Sequence, residues 1–253
     1  MSLLRATDIR FGYSPERPIL DQVSLSLTPG ETVGLVGESG SGKTTLLRLL
    51  LGLQRPQAGS IAFEGSPLDP ANRAFMRHFR RQVQVVFQDP YSSLDPRQKI
   101  SAIVAEPLRA LKVKGDHARL VTEALAAVGL DPDAARRFPH QFSGGQRQRI
   151  AIARAIAPKP RLLLADEAVS ALDLTTRTRI VDLLARLSLD MALLFVSHDI
   201  GVVAALCRRI VILEKGRIVE TGETSAVLAN PRHPYTQLLL ASVPRLSLKE
   251  PPP

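Results

Sequence analysis

The chain has no tryptophan and a single cysteine, Cys207, among 253 residues. A lone thiol excludes an internal disulfide and a four-thiolate metal site. Cys207 follows the apolar run Val202-Val203-Ala204-Ala205-Leu206, which suits a buried structural thiol. Thiol-poor usage fits a reducing compartment. Aromatic residues are only 4% of the chain, too few for a set of stacking platforms among the basic residues. Nucleic acid is therefore not expected as a partner. No run of about 18 apolar residues occurs, so no segment is expected to span a membrane. Met1 to Asp8 lacks the layout of a signal peptide. Any membrane role is expected to run through a partner.

What is present is globular in character. Hydrophobic residues at 45% and charged residues at 23% are near the usual mix. The length suits one large α/β domain, or a core with a subdomain. Basic residues outnumber acidic ones by 33 to 24, a formal charge of +9. They are spread along the chain, with short clusters such as Arg77-His78-Phe79-Arg80-Arg81. A nucleotide, an anionic membrane face or a generally Arg-rich proteome would each account for that surplus.

Periodicity divides the chain. Leu3 to Arg10 and Ile19 to Leu27 alternate as strands do, and Thr28-Pro29-Gly30-Glu31 is a turn. Val33 to Val36, Ser60 to Glu64 and Val83 to Phe87 are further strands. Residues 89 to 157 change texture and lack β runs. Ile100 to Leu111 and His117 to Val128 carry apolar residues three and four apart, as helices do. Strand–helix alternation resumes at Arg161 to Ala165, with a helix over Thr175 to Leu187 and a strand over Ala192 to Val196. Ile210 to Leu213 and Arg217 to Glu220 flank a Lys215-Gly216 turn and form a hairpin. Pro251-Pro252-Pro253 is expected to be a frayed tail.

The most specific stretch is Gly37-Glu38-Ser39-Gly40-Ser41-Gly42-Lys43-Thr44, with Thr45 opening the run that follows. Two glycines with four residues between them, then Lys and a hydroxyl, are the pattern of a phosphate-cradling loop. Its context is right: a buried strand before, an apolar helix after. Glycines let successive N–H groups turn inward toward anionic oxygens, and the helix start adds its positive end. Lys43 would reach the outer phosphates and Thr44 would hold Mg²⁺.

A second set of residues completes the chemistry. Asp166 ends the run Leu162-Leu163-Leu164-Ala165 and would hold Mg²⁺ through water, and Glu167 would polarise the attacking water as a general base. His198 follows another strand, where its imidazole would bond a γ-phosphate or orient the water. Gln88 opens the helical region and would contact Mg²⁺ or water without changing the site charge. Taken singly, paired acids after a strand are a solvated turn, a histidine is more often structural, and a glutamine says nothing. Finally, Ser143-Gly144-Gly145-Gln146 precedes the helix expected over Arg147 to Ala157 and makes a second anion site. One nucleotide does not need two such sites. A dimer, each Ser143 site closing over the nucleotide of the other chain, is the economical answer.

With these motifs in this order, plus Tyr13 in an aromatic loop and Ser170-Ala171-Leu172-Asp173 after the acids, the chain resembles the nucleotide-binding subunit of ABC (ATP-binding cassette) transporters over residues 1 to 245. Phe142 stands where that family usually has Leu. Ala168-Val169-Ser170 stands where Pro-Thr-Ser is commoner. The resemblance implies an α/β P-loop NTPase cassette with a mixed-sheet ATP-binding core, an antiparallel β subdomain and an inserted helical subdomain. The implied divisions are 1–88 and 158–222 for the core, 89–157 for the helical subdomain and 223–253 for a short C-terminal extension. Tyr13 would stack on adenine. ATP and Mg²⁺ are the implied cofactors.

Gln88-Asp89-Pro90-Tyr91-Ser92-Ser93-Leu94-Asp95-Pro96-Arg97 and Asn230-Pro231-Arg232-His233-Pro234-Tyr235-Thr236-Gln237-Leu238-Leu239 are similar to segments of importers for oligopeptides, dipeptides and nickel. The short tail without cysteines leans toward the nickel or chelated-metal branch. The implied partners are a second, non-identical ATPase subunit, two transmembrane permease subunits and, indirectly, an extracytoplasmic substrate-binding protein. The implied place is the cytoplasmic face of the bacterial inner membrane. The rival from another class is a soluble ABC ATPase acting on nucleic acid or ribosomes. Such proteins usually carry two cassettes or a long coiled-coil insertion, and neither is present. A regulatory module without turnover is disfavoured by Glu167 and His198.

Overall fold

A computed structural model describes residues 2–14, 17–89 and 93–242. Pro90-Tyr91-Ser92 of the importer-like segment and the Pro251-Pro252-Pro253 end lie outside the described residues.

Strands β1 (Leu4–Phe11) and β2 (Leu20–Leu27) pair antiparallel, with register shifts around Ile9. All five residues of β3 (Thr32–Val36) are buried, as a strand covered on both faces requires. Helix α1 (Lys43–Leu50) follows the glycine loop. Strands β4 (Ala58–Phe63) and β5 (Ser66–Pro67) complete a four-stranded antiparallel sheet in the order β2-β1-β4-β5. Next come α2 (Arg73–Gln82) and β6 (Val83–Val86).

The region expected to be helical contains α3 (Ile100–Ala110) and α4 (His117–Ala127). Short 3₁₀ turns at Pro132–Arg136 and Pro139–Gln141 lead into α5 (Gly144–Ile156). Helix α5 starts at Gly144, three residues before the sequence-based start at Arg147. The Ser143 hydroxyl accepts from Gln146 N–H at 3.3 Å, and the Gln146 side-chain Oε1 accepts from Ser143 N–H at 3.0 Å. This reciprocal capping box satisfies the first turn and outweighs the weak helix propensity of two glycines.

The remaining chain alternates: β7 (Leu162–Asp166), α6 (Leu174–Leu187), β8 (Ala192–Ser197), α7 (Ile200–Leu206), then the hairpin β9 (Arg209–Glu214) and β10 (Arg217–Glu223). Two short helices follow, α8 (Thr224–Ala229) and α9 (Pro234–Ala241). The large sheet has the order β10-β9-β3-β8-β7-β6. Only β9–β10 is antiparallel, so the sheet is mixed.

Alternation across the pleat splits the core in two. Val36, Leu163, Ala165, Leu193, Phe195, Ile210 and Ile212 face a cluster with Ile103, Leu125, Ile150, Leu183 and Val203 from the helices. Val33, Leu35, Leu162, Leu164, Leu194, Val196, Val211 and Leu213 face the other way, onto α1, Phe79 and the antiparallel sheet. The parallel strands β3, β6, β7 and β8 therefore end on one rim. The glycine loop, Gln88, Asp166 and His198 all lie at that rim, where open α/β sheets bind ligands.

Candidate active site

The glycine loop has the geometry of a cradle. Gly40 and Gly42 adopt φ of 82° and 107°, which side chains other than glycine rarely tolerate. A Cβ on Gly37 would stand 2.2 Å from the Leu213 carbonyl oxygen and 2.6 Å from Ser41 Oγ. Gly42 is the N-cap of α1 and supplies no side-chain acceptor, so the first N–H groups of that helix are left to an external anion. Ser41 Oγ is buried and has no hydrogen-bond partner among the described residues. An orphaned hydroxyl inside a loop of inward-turned amides fits a phosphate oxygen. Lys43 Nζ donates to the carbonyls of Gly37 at 2.7 Å and Glu38 at 2.8 Å. Burial lowers its pKa, against the pull of Glu167, Asp166 and Glu38. Thr44 is exposed and Thr45 is buried in the first turn.

Asp166 closes β7 at 7% exposure. Burial raises its pKa, and neighbouring Glu167 raises it further, while Lys43 and Arg48 oppose. Its carboxylate is short of positive charge. Among the described residues no group of three or more His, Cys, Asp or Glu converges on a point. The sparse donor set of Asp166, Thr44 and Gln88 suits Mg²⁺, which keeps water and takes phosphate oxygens as further ligands.

Glu167 is held tightly. Its φ is 44°, in the left-handed region that is strained for a side-chain residue. Its N–H donates to the Val196 carbonyl at 2.9 Å. Its own carbonyl accepts from Ser170 N–H at 3.1 Å and Ser170 Oγ at 3.0 Å. The carboxylate is gripped as well: Oε2 accepts from Gln88 Nε2 at 3.0 Å, and Oε1 lies 3.4 Å from His198 Nδ1. Three residues from three strand ends thus meet at one carboxylate. The Ser170 clamp and the positive φ of Glu167 have no signal in the sequence. Another contact missed by sequence reasoning comes from far away, the Tyr235 hydroxyl accepting from Glu38 N–H at 2.8 Å.

Two predicted pieces stand apart. Tyr13 is 62% exposed and packs edge-on against Phe11 at 5.3 Å. Its hydroxyl accepts from Gln54 Nε2 at 3.3 Å and Arg48 Nη1 at 3.5 Å, and those bonds lower its pKa. Ser143 and Gln146 are bonded to each other, and among the described residues no hydrogen bond joins residues 143–146 to the glycine loop. Gly145 also has a packing reason: a Cβ there would meet Thr176 Cγ2 of α6 at 2.3 Å.

Residues 20–170 match the ABC transporter family model. The chain belongs to that family. Residues 219–251 match a second model, described as the oligopeptide/dipeptide transporter C-terminal region. Similar curated proteins are the glutathione import ATP-binding protein GsiA of Shigella flexneri serotype 5b and that of Escherichia coli K12. Each is 51% identical over 229 residues, covering 89% of this chain and 37% of the relative. The chain thus spans well under half the length of these relatives. Among solved structures it resembles cbiO1 from Clostridium perfringens, part of the ABC transporter complex cbiONQ, with TM-score 0.81, 26% identity, and coverage of 90% of this chain and 91% of that one. The ATP-binding cassette MJ0796, a dimer in a post-hydrolysis state bound to ADP and Pi, matches with TM-score 0.76, 29% identity, and coverage of 87% and 98%. The α/β architecture is that of an ABC cassette, and ATP with Mg²⁺ are the cofactors of such a cassette. In this cassette the swaps at Phe142, Ala168 and Val169 are all buried apolar side chains.

Proposed function

We propose that this cassette is the ATP-hydrolysing subunit of an importer for peptides or nickel and other metal chelates, driven by ATP-dependent pairing of two cassettes. The observation that carries the reading is the Glu167 carboxylate, fixed by Gln88 and His198 at the strand ends that also bear the phosphate loop. In this reading the residues 37–45 bind the phosphates, with Ser41 Oγ and Lys43 Nζ as side-chain donors, and Tyr13 stacks on adenine. Mg²⁺, held by Thr44, Asp166 and Gln88, neutralises phosphate charge when bound. Glu167 takes the proton of the attacking water, and His198 orients that carboxylate and reaches the γ-phosphate. Ser143, Gly144, Gly145 and Gln146 of a second cassette close over the nucleotide. The working divisions are a core of 1–88 and 158–222, a helical lobe of 89–157 that turns on closure, and an extension of 223–253.

The second cassette is taken as a non-identical sister, seated with two permease subunits on the cytoplasmic side of the bacterial inner membrane and served indirectly by a substrate-binding protein. Among the described residues no helix is long and apolar enough to cross a membrane. The relatives named for glutathione import support a small-peptide cargo over the nickel branch.

The decisive variant is Glu167→Gln, which keeps size and one acceptor oxygen but cannot accept the proton. ATP hydrolysis is expected to fall by about a hundredfold or more, while ATP is retained and a dimer accumulates in size-exclusion chromatography with ATP–Mg²⁺. Turnover at the unmodified rate would remove Glu167 from its role.

A further inference from the structure

The segment Asn230 to Leu239 has no task in the cycle above, yet it reaches the phosphate loop. The Tyr235 hydroxyl accepts from Glu38 N–H at 2.8 Å, across 197 positions of sequence. That N–H and the Gly37 carbonyl belong to one peptide unit. The Gly37 carbonyl accepts from Lys43 Nζ at 2.7 Å. In a trans peptide the N–H and the C=O point in opposite directions. Tyr235 and Lys43 therefore hold the two edges of the same plane, and the peptide cannot rotate without breaking one bond or the other. Lys43 Nζ is the group that must meet the phosphates, so the plane sets where that amine rests.

Tyr235 is itself firmly placed. The Glu220 carboxylate on β10 accepts from Arg232 N–H at 2.9 Å and His233 N–H at 3.0 Å. His233 then caps α9, its Nδ1 accepting from Tyr235 N–H at 3.2 Å. Gln237 Nε2 closes the turn on the Pro231 carbonyl at 2.9 Å. Tyr235 and Leu239 are buried in the helical-side core. Strand β10 pairs with β9, whose Leu213 carbonyl forms the wall behind Gly37. The hairpin thus carries both the wall of the loop and the base of the segment that props it. Burial pushes the Tyr235 phenol pKa up, against the bond from Glu38 N–H and with the Glu38 and Glu214 carboxylates adding to the rise, so it stays a neutral hydroxyl.

We propose that Tyr235 is a positioning residue for nucleotide binding: it fixes the Gly37–Glu38 peptide, and with it Lys43, in the form that receives ATP. The C-terminal extension is then part of the ATP site and not an appendage to it. This rests on the reading of residues 37–45 as the phosphate loop. The gain is preorganisation, so it belongs to binding and not to the chemical step.

The test is Tyr235→Phe in the full chain, with ATP–Mg²⁺ affinity measured by calorimetry beside steady-state hydrolysis and thermal melting. The expected result is a Kd and KM for ATP raised about two- to tenfold, the worth of one hydrogen bond, with kcat within about twofold. The melting temperature is expected to move by about 2 °C or less. Leu239→Ala, on the same helix but without a bond to the loop, is expected to lower the melting temperature and leave ATP affinity alone. Unchanged affinity in Tyr235→Phe overturns the proposal. So does an equal loss in Leu239→Ala, which would make the effect one of general stability. Lys43→Ala separates the two levels. If it keeps ATP affinity, the phosphate-loop reading fails and the proposal falls with it. If it loses affinity while Tyr235→Phe does not, only the role of Tyr235 fails.

Discussion

Asp166 and Glu167 are adjacent acids with opposite surroundings. Glu167 has a neighbour at each carboxylate oxygen, Gln88 Nε2 donating to Oε2 and His198 Nδ1 lying 3.4 Å from Oε1. Asp166 is buried, and its pKa is raised by that burial and by Glu167. An acid whose folded pKa lies above its unfolded value contributes stability below the unfolded pKa, and loses it as pH rises through the folded one. As pH rises and Asp166 ionises, its burial therefore weakens the nucleotide-free fold. Asp166→Asn is expected to raise the melting temperature of nucleotide-free protein by about 2–4 °C at pH 7.5 while hydrolysis collapses. Scanning calorimetry at several pH values checks this, and the gain should vanish toward about pH 4. The pair was legible in the sequence because it follows an apolar run. Gln88 was placed at the site by its position after a strand, but its bond to Glu167 could not be read, since it depends on β6 lying beside β7, with Val86 opposite Ala165.

Most elements could be read from apolar spacing, and α2 shows where that reading stops. Its stretch looks like a basic cluster, Arg77 to Arg81, yet Phe75, Met76 and Phe79 fall at helical spacing and Met76 and Phe79 are buried. The Asn72 side chain caps it by accepting from Phe75 N–H at 3.0 Å. Five basic or histidine residues on the outer face hide that stripe. The Tyr235 contact was illegible for a different reason: no local period encodes what a hydroxyl will meet 197 residues away. Between elements, Arg209 at the start of β9 bonds Glu31 Oε1 at 2.6 Å and also the Ser26 carbonyl. Glu31 accepts in addition from Thr28 N–H at 2.8 Å and Thr28 Oγ1 at 2.9 Å. Burial pushes the Glu31 pKa up, but the Arg209 and Thr28 bonds outweigh it and the net shift is down. Such a group stabilises above its unfolded pKa and loses that as pH falls through the folded one. Glu31→Gln is expected to cost about 1–2 kcal/mol at pH 7 in urea unfolding, with the difference from the unaltered protein fading below about pH 4.

For the whole molecule, the order of the motifs along the chain carried the family, because each motif alone is weak and their succession is not. The proposed pairing of two cassettes rests on a different observation: Ser143 and Gln146 bond each other, and among the described residues none of residues 143–146 hydrogen-bonds the glycine loop of its own chain. Ser143→Arg is expected to leave ATP affinity of the single chain within about twofold and to lower hydrolysis by about tenfold or more. Calorimetry and a phosphate-release assay on the same preparation check both halves. Hydrolysis at the normal rate would count against closure by a second chain.

Strand β3, which leads into the glycine loop, pairs with β8 and β9. Gly34 lies opposite Phe195 on one side and Ile210 on the other. During translation the strand leaves the ribosome long before either neighbour exists. A nascent chain that has not reached Ala192 holds an apolar strand without these two neighbours, so the cradle is assembled only after they are made. Such long-range closure is slow and exposes sticky backbone on the way. The glycine loop is written well before the strands β8 and β9 that hold its leading strand in place.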